Sequence, residues 1–77
     1  MNNKSKRVYV DDQEYCTRYG HSPRGRGGWL FCTVDPRVRQ DYLDHLLPGR
    51  SGTFTEARKS ARILAASKGV NVIFVCT

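Results

Sequence analysis

The 77-residue sequence predicts an α+β domain: a single-layer, mainly antiparallel sheet of about four strands with two helices, in the order β-β-β-α-α-β. Three observations carry that prediction. The stretch Thr53–Thr77 reads as a capped helix, a glycine stop and an apolar strand. Two runs of alternating side chains flank a glycine-rich loop. An Asp-Pro pair at 35–36 opens a stretch with helical spacing.

In chain order, Met1–Lys6 is polar and basic and predicts a flexible tail ahead of one domain that takes up the rest of the chain. Arg7–Val10 predicts a first strand, with Val8 and Val10 on one face and Arg7 and Tyr9 on the other. Asp11, Asp12 and Gln13 supply turn chemistry. Glu14–Tyr19 alternates, Tyr15, Thr17 and Tyr19 against Cys16 and Arg18, which is the period of a second strand exposed on one side. The glycines and proline of Gly20–Gly28 predict a loop, and Gly28–Val34 a third strand. A hairpin symmetric about Arg24 would set Cys16 opposite Cys32.

Asp35 as N-cap and Pro36 at the first helical position predict a helix start. Val38, Tyr42, Leu43, Leu46 and Leu47 then form an apolar stripe up to Pro48-Gly49. Arg50–Gly52 reads as a link. Thr53 and Glu56 fit a capping box, with Thr55 as a competing cap, and Ala57, Ala61, Leu64 and Ala65 mark the buried face of the second helix. Gly69 suits an αL stop. The uninterrupted run after it predicts a central strand, pairing with the first or the third.

Thirteen Lys and Arg against seven Asp and Glu give a net charge of +6. Such a balance favours a polyanionic partner, although plain solubility explains it too. Residues 1–28 hold six basic and three acidic side chains, residues 35–52 three of each, and residues 53–77 four and one. The excess therefore lies on the expected first hairpin and the last helix, which could share a surface. No apolar run reaches the roughly 18 residues of a membrane span, and the basic N-terminus lacks the apolar core of a signal peptide. Three cysteines, an odd number, predict reduced thiols and a cytoplasmic setting.

Three groups of residues are candidate contacts. Arg24 and Arg26, on the glycine-rich loop before Trp29, can reach phosphates and stack on bases, or simply cap a hairpin with Trp29 in the core. Tyr9 and Tyr15, with Arg7 and Arg18, make an aromatic and basic sheet face or else cover the edge of the core. Arg58, Lys59 and Arg62 line the polar side of the last helix and suit phosphate or solvent equally. Cys16, His21, Cys32, His45 and Cys76 lack the spacing of a zinc site, so neither metal nor cofactor is expected. Asp11, Asp12 and Glu14 lie in one polar turn, and neither histidine has a nucleophile partner, so no enzyme is expected.

The order from the GGW strand through TFTEARKSARILAASKG to an apolar strand resembles small phage-encoded inhibitors, among them the T7-type phage inhibitor of bacterial RNA polymerase and the anti-CRISPR proteins. The likeness covers Gly28–Val34 and Thr53–Cys76, and the segment Pro36–Leu47 departs from it. It implies an adaptor that occupies a large machine in a host cytoplasm, and it carries over no site residue. Two functions stay open. One is a non-enzymatic basic protein docking on nucleic acid. The other is a phage-type inhibitor binding the acidic protein surface of a host nucleoprotein complex. Either would act as a monomer or homodimer, away from membranes.

Overall fold

The computed structural model describes residues 7–76. The expected tail, residues 1–6, lies outside them. The described chain is α+β with two helices, and its five strands form a three-stranded and a two-stranded sheet. Strand β1 is Tyr9–Asp11, helix α1 Gln13–Tyr19, β2 Arg26–Trp29, β3 Phe31–Cys32, β4 Arg50–Thr53, α2 Phe54–Ser67 and β5 Val72–Val75. A short 3-10 helix, Tyr42–His45, precedes β4.

The last helix and strand form as their sequence dictates. The Thr53 hydroxyl accepts from the Glu56 amide at 3.2 Å, and the Glu56 carboxylate accepts from the Thr53 amide at 3.3 Å. Ala57, Ala61 and Ala65 are buried, and these small side chains let α2 lie close on the sheet. Gly69, at φ 76°, turns the chain out of the helix. β5 is central: it pairs parallel with β1 (Val10 opposite Ile73) and antiparallel with β3 (Phe31 opposite Val75). Ile73 and Val75 are fully buried, and Val8, Tyr15, Trp29, Phe31 and Leu47 are buried around them.

Four expected elements take another form. Glu14–Tyr19 is not a strand but most of α1. Its pairs fall at i,i+4: Arg18 meets Glu14 at 3.3 Å, and the Tyr19 and Tyr15 ring centroids lie 4.5 Å apart. The Asp11 carboxylate accepts from the Gln13 amide at the helix start, and Gly20 at φ 77° ends it. With α1 in place of a strand, the expected hairpin around Arg24 does not exist, and Cys16 does not face Cys32.

The expected third strand is divided at Leu30. β2 pairs antiparallel with β4, Trp29 opposite Arg50, and β3 pairs with β5. The supposed link at 50–52 is thus a strand. A predicted helix over 36–47 gives way to one turn after Asp35 and the 3-10 helix. The reason is competition for backbone groups. The Thr33 amide donates to the His45 carbonyl, the Leu47 amide donates to the Phe31 carbonyl, and Leu46 bridges to Cys32, so the segment ends extended along the edge of β3. Val38 and Leu43 are left 76 % and 62 % exposed, with no core face to bury them.

Candidate functional site

A basic groove runs between β1 and α2. Its strand side follows from the alternation at 7–10. Val8 goes into the core, Val10 is half-buried, and Arg7 and Tyr9 are exposed. β1 is the edge of its sheet, so Tyr9, in register with Val72, is 63 % exposed. The helix side follows from the alanine stripe. With Ala57, Ala61 and Ala65 held against the sheet, Arg58, Lys59, Arg62, Ile63 and Ala66 stand on the outer shoulder of α2.

The groove consists of two shallow depressions that share Arg7, Val8 and Arg62. One, of about 270 Å³, is completed by Lys59, Ile63 and Ala66. The other, of about 380 Å³, is completed by Tyr9, Val10 and Arg58. Four cations therefore surround an apolar floor, with no carboxylate, imidazole or thiol among the described residues of the lining. None of the four is in an ion pair among the described residues. Arg58 is steadied instead by the Phe54 ring, whose centroid lies 5.8 Å from its guanidinium carbon.

Most of the acidic groups are engaged elsewhere. Arg37 meets Asp35 at 2.9 Å and Asp11 at 3.5 Å, and Arg39 meets Asp41 at 2.7 Å. The Arg37 guanidinium holds the Asp35 carboxyl below its usual range, and Arg39 does the same for Asp41. Glu56 is held low chiefly by the Thr53 amide, with Arg26 and Arg50 adding attraction. Ion pairs thus gather around α1 and residues 35–45, while the cations along α2 and at the start of β1, like Arg24, Arg26 and Arg50 at the β2–β4 ribbon, are in no ion pair among the described residues.

Of the nine residues singled out from sequence, Arg7, Tyr9, Arg58, Lys59 and Arg62 come together in the groove. The other four lie apart from it. Arg18 is paired with Glu14 on α1. Tyr15 is buried, its ring centroid 5.8 Å from that of Trp29, so it belongs to the core. Arg24 and Arg26 are exposed beside the β2–β4 ribbon, where Arg26 is opposite Thr53. Trp29 is buried and donates its indole N–H to the Gly52 carbonyl at 3.2 Å.

Sequence reasoning missed the floor residues Val8, Val10, Ile63 and Ala66. Ile63 carried a signal, being a large apolar side chain off the alanine stripe. It also missed Arg50, which joins Arg26 near Glu56. Among the described residues no group of three or more His, Cys, Asp or Glu is arranged to hold a metal ion, and no helix is long and apolar enough to cross a membrane. No family model, no curated protein and no solved structure matches the sequence.

Proposed function

We propose that this chain is a non-enzymatic binding protein that takes a single-stranded stretch of nucleic acid into the groove between β1 and α2. One observation carries the reading. Four cations from two distant parts of the sequence, Arg7 on one side and Arg58, Lys59 and Arg62 on the other, share one apolar-floored opening with an exposed tyrosine, and among the described residues they have no ion-pair partner and no acid lines the opening. Phosphates lie against the cations, and a base stacks on the Tyr9 ring. Stacking of this kind contributes about 1–3 kcal/mol per base and tolerates any sequence.

The shape favours an unpaired strand over a duplex. Duplex readers project a helix or a two-stranded ribbon into the major groove. Here α2 lies flat on its sheet, and the basic feature beside it is a hollow, which admits a narrow strand. As part of the same proposal, the protein works in the cytoplasm where such strands are found.

The test is anisotropy titration of a labelled oligonucleotide at several salt concentrations. Four phosphate contacts give a slope of log affinity against log salt of about −3, at about −0.7 for each contact on a single strand. No binding at low salt, or a slope near zero, overturns the reading. Capture of one bacterial protein from a nuclease-treated lysate, with no oligonucleotide binding, would move the function to inhibition of a nucleoprotein machine.

A further inference from the structure

Cys32 and Cys76 form a second chemical feature, unrelated to the groove. Cys32 lies in β3 and is fully buried, while Cys76 follows β5 directly and is half-buried. Antiparallel pairing sets Cys32 opposite Phe74, and the Cys76 amide donates to the Leu30 carbonyl at 2.9 Å. Residues 32 and 76 are therefore diagonal neighbours on one face of the sheet. Their sulfur atoms are 2.7 Å apart, with the Cys76 thiol donating to Cys32. Cys16, on α1, takes no part in this contact.

We infer that Cys32 and Cys76 are a dithiol site that reacts with low-molecular-weight disulfides and closes to a cross-strand disulfide. The two sulfurs divide the work. Cys76 is the one that solvent reaches, so it meets the incoming disulfide first. Its thiol gives its proton to water, and the thiolate attacks one sulfur of the small disulfide. A mixed disulfide forms, and the other half leaves as a thiolate that takes up a proton. The Cys32 thiol then gives its proton to water, and its thiolate attacks the Cys76 sulfur and expels the second small thiol as a thiolate that takes up a proton. Two protein thiols have lost two electrons, and one small disulfide has gained them.

The environment bears on the rate. While both thiols are free, donation from Cys76 pulls the Cys32 thiol below its ordinary range. The same contact, with burial, pushes Cys76 up, which makes the first step slow at neutral pH and faster as pH rises. The bond would tie β3 to the end of the central strand and enclose β4, α2 and β5 in one covalent ring.

The experiment is incubation of the full-length protein with oxidised glutathione, followed by intact mass and peptide mapping. The expected product is lighter by two hydrogens, links Cys32 to Cys76, leaves Cys16 open to alkylation, and melts roughly 10 °C or more higher. Cys32→Ala should instead stop at a lasting glutathione adduct on Cys76. If that variant does not fold, early samples of the unaltered protein should show the same adduct before the ring closes. A lasting adduct in the unaltered protein, a link to Cys16, an intermolecular disulfide, or no reaction would each overturn the inference.

Discussion

Arg7 and Arg62 line both depressions of the groove, Arg7 ahead of β1 and Arg62 from the outer shoulder of α2. Among the described residues no carboxylate lines the groove between them, so in the free protein they repel weakly through solvent. An anion between them turns that repulsion into attraction. Arg7→Gln and Arg62→Gln should each weaken oligonucleotide binding several-fold at low salt and make the salt slope shallower by about 0.7. Arg24→Gln, outside the lining, should change neither. Equal losses from all three would mean that net charge, and not the groove, drives binding.

Tyr9 tests the stacking half of the proposal separately. Its ring stands on an edge strand and is mostly exposed, so the core does not depend on it. Tyr9→Ala should cost about 1–3 kcal/mol of binding, with the salt slope unchanged, because a base contact releases no counterion. Tyr9→Phe keeps the ring and should bind as the unaltered protein does. Unaltered affinity in Tyr9→Ala, or a duplex bound as tightly as a single strand, would remove the base from the groove and leave only phosphate contacts.

How far these features were legible depended on the range of the interaction behind each one. The capping box at Thr53 and Glu56, the stop at Gly69 and the alanine face of α2 are local, and they read directly from the sequence. So did the cationic shoulder at Arg58, Lys59 and Arg62, which is what the alanine stripe leaves over. Six residues at 14–19 are too few to separate a period of 2 from one of 3.6, and the Glu14–Arg18 and Tyr15–Tyr19 pairs decide for the helix. At 36–47 the helical spacing was present, but backbone bonds to β3 outweighed it. β4, with sequence RSGT, has little intrinsic strand preference and owes its form to pairing with β2. The union of Arg7 and Tyr9 with α2, like that of Cys32 with Cys76, depends on the register in which β5 pairs with both β1 and β3: its apolar run marks it as central, but no local pattern encodes that register.

Stability should fall on the acid side. Asp35, Asp41 and Glu56 each ionise more readily in the fold than in the open chain, because Arg37, Arg39 and the Thr53 amide respectively hold the charged form. A carboxyl with a lowered folded pKa binds fewer protons when native. Its contribution is complete above the unfolded value, near pH 4, and is lost as pH falls through the folded value. Thermal melts followed by circular dichroism should therefore give a flat melting temperature from about pH 7 to 5 and a decline below about pH 4. Asp35→Asn should shrink the decline. A melting temperature that holds steady down to about pH 2 would show that these pairs do not stabilise the fold.

Ala61 links the core to the groove. It is buried on the face of α2 that lies against the sheet, one position before Arg62 and four after Ala57. A leucine there brings three further carbons into space that only a methyl group now fills. Overpacking of this sort typically costs about 1–3 kcal/mol, and the helix relieves it by moving away from the sheet. That movement would widen the gap between Arg62 and Arg7 without altering any charge. Ala61→Leu should therefore lower the melting temperature by several degrees and weaken oligonucleotide binding together. Ala66→Leu is the comparison, because Ala66 lines the groove but is exposed, so a larger side chain there does not press on the core. It should leave stability nearly unchanged and affect binding only through the depression it lines. If Ala61→Leu destabilises the protein but leaves affinity intact under folded conditions, the spacing of β1 and α2 is not what positions the cations.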